Sequence, residues 1–282
     1  MTEHIFVCPY NKEFLSRLKN RTVVVTTEDP GLIYQIQREV NKSNMLHAIK
    51  VSVGVLSEIR FQESWQNIPI AFYANEFGSY KNIQQQLHIL RNLNSRIFLS
   101  DQSEFNFIAL RILSSLRLSC GLHLTGKDCN WEMVNDLMHF TMYGRIRHAP
   151  IEPFDWIVSH YEPTGYTDFS FVYFNNPVKY LHINEKEQIA LTEDDMRNNH
   201  FIAEDARSVD TIKENEEYQD FLNKRYEIMM QMTDCAFCPA FRVCLGKYKD
   251  LHDKNNKCKS FFSDLMEAAD YAFSKKTHQW QL

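Results

Sequence analysis

Four cysteines crowd the last quarter of the chain: Cys235, Cys238, Cys244 and Cys258. They form a C-x2-C-x5-C run, with the fourth cysteine after thirteen intervening residues. A thiolate is a soft anionic ligand, and four of them can close a tetrahedral shell around zinc or an iron–sulfur cluster. The run contains one close pair, not the two pairs usual in zinc knuckles, and it does not match the ferredoxin C-x2-C-x2-C spacing. Spacing alone therefore points to a metal and leaves its identity open. Lys247, Lys249, Lys254, Lys257 and Lys259 could balance part of the thiolate charge.

The other three of the seven cysteines, Cys8, Cys120 and Cys129, are scattered through apolar or turn-like surroundings and read as buried small hydrophobes or idle thiols. Cysteines in a cytosolic chain of this size are metal-bound, catalytic or free more often than disulfide-paired. Cytosolic placement is the expectation, since no basic-then-apolar leader opens the chain and no apolar stretch approaches a bilayer-spanning length. At 282 residues, 44% hydrophobic and 24% charged, the composition is that of a soluble globular protein with one large or two modest domains. A formal charge of −5 speaks against a general nucleic-acid binder.

The elements that must position this chemistry alternate. Strand-like runs at 22–26, 49–53, 68–73, 96–100 and 120–124 are separated by helical spacings: Leu32, Ile33, Ile36 and Val40; then Ile83, Leu87, Leu90 and Leu93; then Phe107 to Leu116. Trp131, Val134, Leu137, Met138 and Met142 supply one more helix face. Such alternation predicts a mostly parallel sheet covered by helices, either open or a partial barrel. The pattern changes near Ala149-Pro150 and Pro153, and a boundary is placed near residue 165. The expected domains are therefore 1–165, β/α, and 166–282, a hairpin plus a helical four-cysteine module. Residues 166–174 are expected to form a strand, and 180–191 a hairpin around a polar turn. Helices are expected from Ser208 onward and across Phe261, Phe262, Leu265, Ala269 and Phe273.

The cysteine run, with Tyr180 to Ile189 and Phe201 to Asp205 leading into it, resembles the C-terminal half of the SPASM domain of radical S-adenosylmethionine peptide-modifying enzymes. The resemblance spans about residues 178–265 and is specific at the cysteines. It implies one auxiliary [4Fe–4S] cluster on Cys235, Cys238, Cys244 and Cys258, with zinc as the alternative. It also implies that the front half is a degenerate radical-SAM-like partial (β/α) barrel ahead of a SPASM-like cysteine-cluster module. The chain departs from the family where radical chemistry begins: there is no C-x3-C-x2-C triplet, so S-adenosylmethionine cleavage is not expected. Further SPASM cysteines are replaced by Leu191-Thr192-Glu193 and by Lys247-Tyr248.

Proteins of this shape are similar to the SPASM-type maturases encoded beside ATP-grasp peptide ligases and to pseudo-radical-SAM proteins. The implied function is an accessory role in maturing a ribosomally made peptide. The implied partners are the precursor peptide and an ATP-grasp or radical SAM maturase. A redox-active peptide-modifying enzyme and a zinc-stabilised interaction module are the competing readings.

Remaining candidates read as structural. Glu76, after a strand, is expected to be a solvated loop carboxylate. His139 and His123 are expected to be partly buried histidines on apolar elements. Arg145, Arg147 and His148 form a small basic patch that could receive an acidic peptide. Neither a phosphate-binding loop nor a dinucleotide glycine motif is present.

Overall fold

The computed structural model describes residues 4–124, 129–145, 147–231, 237–246 and 257–279. Nine strands form one sheet: β1 (Ile5–Pro9), β2 (Thr22–Thr27), β3 (Met45–Val55), β4 (Ile70–Glu76), β5 (Ser95–Ser100), β6 (Cys120–His123), β7 (Ile151–Glu152), β8 (Tyr180–Ile183) and β9 (Ile189–Ala190). Their order is β7-β6-β5-β4-β3-β2-β1-β8-β9, parallel throughout except for the antiparallel β8–β9 pair. The expected strands from 22 to 124 and the hairpin are all present. β1 adds a strand to those expected: Ile5-Phe6-Val7-Cys8-Pro9 is short and continuously apolar. It is nevertheless flanked on both sides, by β2 and by β8, so residues after 165 extend the same sheet as the front half.

Residues 166–174 are not a strand. Phe169–Tyr173 is a 3-10 helix. The Asp168 carboxylate accepts from the Ser170 N–H at 2.9 Å and from the Asn176 amide at 3.0 Å, offering the backbone a turn in place of a ladder. Phe169, Val172 and Tyr173 are then buried at helical spacing, and the Tyr173 hydroxyl donates to the Leu122 carbonyl of β6 at 2.6 Å.

The sheet is curled. Tyr180 on β8 and His47 on β3 are three strands apart, about 14 Å if the sheet were flat, yet their rings are 6.0 Å apart. Strand parity divides the core accordingly. Phe6, Cys8, Val23, Val25, Ile49 and Val51 join the large outer core, whereas Ile5, Val7, Val24, Ala48 and Tyr180 form a small cluster on the concave face. Gly121 of β6 belongs to that inner face. A Cβ there would lie 2.7 Å from the Phe98 ring and 2.9 Å from the Glu152 backbone oxygen.

Helices cover the convex face: α1 (Lys12–Arg17), α2 (Ile33–Val40), α3 (Tyr80–Gln85), α4 (Leu87–Leu90), α5 (Glu104–Ser115), α6 (Trp131–Tyr143) and α7 (Phe154–His160). The long last helix, Lys257–Gln279, packs on α6 and α7. Phe261 and Phe262 meet Trp131 at ring distances of 5.3 and 5.9 Å, and Phe261 meets Phe154 at 6.0 Å. The Tyr161 hydroxyl donates to Asp270 at 2.7 Å. Among the described residues no helix is long and apolar enough to cross a membrane.

Phe261 is 2% exposed and wedged between Trp131 and Phe154, so Phe261→Ala should leave a cavity. The expected cost is about 3–5 kcal/mol in urea unfolding; a loss below about 1 kcal/mol would show that this helix does not dock as described.

Candidate functional site

Parallel α/β sheets place ligands beyond the carboxyl ends of their strands. A cavity of about 710 Å³ lies there, reached by the ends of β3 to β6 and by the loop after β2. Its floor is polar, because the inward parity of the strands carries polar residues at this end: Lys50 on β3, Tyr73 on β4, Ser100 on β5 and His123 on β6.

Lys50 is 5% exposed, and its ammonium lies 2.7 Å from a carboxylate oxygen of Glu193. It also stands 4.7 Å from the centre of the Tyr73 ring, a cation–π distance. Glu193 is delivered by a capped helix, α8 (Glu193–Arg197). Thr192 and Asp195 form a reciprocal capping box, which sets Glu193 at the first helical position. The Glu193 N–H donates to the Asn175 side-chain oxygen at 2.8 Å, and Arg197 donates to the second carboxylate oxygen at 2.8 Å. Burial alone would raise the Glu193 carboxyl, but Lys50, Arg197 and His182 outweigh it and hold its pKa at about 2.

His123 and His182 are pushed down to about 4, first by burial and then in part by the Lys50 charge, whereas the Glu193 carboxylate opposes the shift. His182, on β8, is 4% exposed; its backbone hydrogen bond is to Phe174, and its Nε2 has no partner. The Tyr73 hydroxyl, on a side chain 6% exposed, is likewise without a partner, and its pKa is raised well above the usual range by burial. Native structures rarely leave such atoms unsatisfied. An acceptor on a ligand or ordered water in the crevice would satisfy the Tyr73 hydroxyl. The crevice thus combines an ammonium, a phenol donor, the imidazole of His123 and a carboxylate, with His182 close to Lys50 and Glu193 but outside the lining. Among the described residues no cysteine lines it.

The sequence candidates fall elsewhere, with one exception. His123 lines the crevice, between the rings of Tyr73 at 5.1 Å and Tyr173 at 5.3 Å. Glu76 is exposed at the end of β4. His139 sits 3.4 Å from Asp264 of the last helix. Arg145 and Arg147 are exposed, while His148 stacks on Phe140 at 5.0 Å and contacts Ser114 at 3.2 Å. Cys8 and Cys120 are buried in the outer core; burial pushes the Cys8 thiol up to about 12 and the Cys120 thiol higher still. The Cys129 thiol is raised by burial and by Asp101.

Of the metal candidates, Cys235 and the side chain of Cys258 lie outside the described residues. Cys238 is half-buried, and its carbonyl accepts from the Phe241 N–H at 3.0 Å. Cys244 is buried and closes the four-residue helix Phe241–Cys244. Lys50, Tyr73, His182 and Glu193 were not singled out from the sequence. The signal was a lysine inside the apolar run Ile49-Lys50-Val51 and a histidine inside Leu181-His182-Ile183.

Two outcomes follow from these charges. Below pH 6.5 an unfolded chain protonates His123 and His182, whereas the folded chain does so only near pH 4. Stability should therefore fall as pH drops from 6.5 to 4, by up to about 1.4 kcal/mol per pH unit for each histidine. Glu193, depressed from 4.5 to about 2, contributes fully above pH 4.5 and loses its contribution as pH falls toward 2. Urea midpoints measured across this range should show both windows, and His182→Gln should flatten the upper one; an unchanged slope contradicts the assignment.

At neutral pH, Glu193→Gln leaves a buried ammonium without its counter-charge and should cost about 3 kcal/mol. Lys50→Met should cost less, because Glu193 keeps Arg197. Denaturation of both variants and the double mutant reads the order directly, and the reverse order would refute it.

No family model, no curated protein and no solved structure matches this chain, so the reading of the site rests on its own geometry and on the cysteine run.

Proposed function

We propose that this chain is an accessory maturation protein of a ribosomally synthesised peptide pathway. In this reading the precursor peptide enters the crevice at the carboxyl ends of the strands. One [4Fe–4S] cluster is held by Cys235, Cys238, Cys244 and Cys258, and S-adenosylmethionine is not cleaved. The observation that carries it is the crevice itself: a polar floor with an unsatisfied buried hydroxyl, Tyr73 Oη, and, among the described residues, no sulfur ligand in its lining. That is equipment for binding a chain of amides and side chains by hydrogen bonds.

Two further features support the family reading. Strands β1 to β7 follow one another in chain order around a curled sheet, the layout of a partial (β/α) barrel. The β8–β9 hairpin lies where the hairpin of a SPASM-like module would begin. Four thiolates are the usual ligands of [4Fe–4S]; of the four here, the Cys238 carbonyl accepts at the turn that leads into the helix Phe241–Cys244, and Cys244 ends that helix. When bound, such a cluster supplies structural cross-linking and an electron-transfer site; because its ligands are brought together only on folding, its binding energy is also folding energy for the last quarter of the chain. The precursor peptide, and an ATP-grasp or radical SAM maturase acting on it, are the partners this reading requires.

Oxygen-free protein should be brown, with a broad band near roughly 400 nm and about four irons per chain. Cys238→Ser should abolish the band and lower the melting temperature. Colourless protein with about one zinc per chain would overturn the cluster and leave a zinc-stabilised interaction module.

A further inference from the structure

The concave face has a second opening at its other end, where β3, β4, β5 and β8 begin: a cavity of about 720 Å³. That volume is in the range of small-molecule sites. Two aromatic groups wall it. Trp156 of α7 stacks on Phe171 at 5.8 Å, and Phe174 meets Tyr180 edge-on at 5.5 Å. Phe174 is held in the left-handed region, φ 57°, a strained conformation for a non-glycine residue.

Two cations, Arg96 of β5 and Lys179, line the same cavity. Both are exposed, and among the described residues neither makes an ion pair or a side-chain hydrogen bond. The Lys179 ammonium is 5.3 Å from the centre of the Tyr180 ring. Among the described residues no carboxylate lines the cavity. Glu152, whose charge acts on Arg96, is committed to the Trp156 N–H at 3.1 Å. Aromatic walls with unpaired cations and no acid on the lining are complementary to a flat ring that carries negative charge.

We infer that this cavity binds a planar anion, an aromatic ring bearing a carboxylate or a phosphate group. The ring packs against Trp156 and Phe174, and the charge is taken by Arg96 and Lys179. The site is distinct from the carboxyl-end crevice and stands whether or not the chain matures a peptide.

Calorimetric titration of the full-length protein tests it with indole-3-acetate, an aromatic carboxylate, and adenosine 5′-monophosphate, an aromatic phosphate. The controls are their halves: indole and acetate, adenosine and inorganic phosphate. At least one intact probe should bind about tenfold or more tighter than either of its halves, and the probe that does so identifies the head group. Arg96→Ala and Lys179→Ala, both on exposed side chains, should each weaken binding about tenfold with melting curves unchanged. Absence of binding by both probes, or affinity unaffected by both substitutions, overturns the inference.

Discussion

An ammonium group 5% exposed survives in a protein interior only beside a counter-charge, and for Lys50 that charge arrives from 143 residues away in the sequence. Glu193 reaches it because the chain has crossed to the far side of β1, paired β8 beside it, turned back through β9 and entered a capped helix. The Lys50–Glu193 pair therefore ties the hairpin segment to the middle of the parallel sheet. It also sets the electrostatics of the crevice: both neighbouring imidazoles feel the ammonium and the carboxylate at once, on top of the burial that keeps them neutral. A hydrophobic pair would hold the two segments together at least as well. The charged pair instead leaves the crevice polar, which is what a binding site requires.

Curling the sheet creates two chemically different mouths from one concave face. At the carboxyl ends the inward residues are Lys50, Tyr73, Ser100 and His123, with Glu193 and Arg197 above them. At the amino ends they are Ala48, Ala71 and Arg96, closed by the aromatic side chains of α7 and of the 3-10 helix. The middle is plugged by rings: Tyr73 stacked on Phe98 at 4.7 Å, with Tyr173 against Phe98 at 5.8 Å. The 3-10 helix that replaces the expected strand is what makes this possible. It lets Tyr173 point inward to β6 while Phe171 and Phe174 reach the other mouth.

The strands from 22 to 124 were legible as short β-branched or apolar runs, and the helices between them by apolar residues repeating at a period of 3.6. β1 was not: Ile5-Phe6-Val7-Cys8-Pro9 is as buried as β2 but ends on a proline and leads into a helix of only six residues, too short for a clear helical repeat to set it off. Residues 166–174 alternate convincingly, but Asp168 supplies a local hydrogen-bond partner that competes with a ladder. His123 could be noticed as a polar residue in an apolar run. Whether it faced the core, a partner charge or a cavity depended on the register of β6 against β5 and on the curl of the sheet.

The sequence by itself determined the alternating α/β architecture, the hairpin at 180–190 and the concentration of cysteines near the end, because periodicity, turn residues and spacing are local properties. Only the tertiary structure decided that Lys50, Tyr73, His123 and Glu193 share one crevice and that Arg96 and Lys179 share another. Those meetings depend on strand order and sheet curvature, which are set by the sum of long-range packing and leave no mark at any single position.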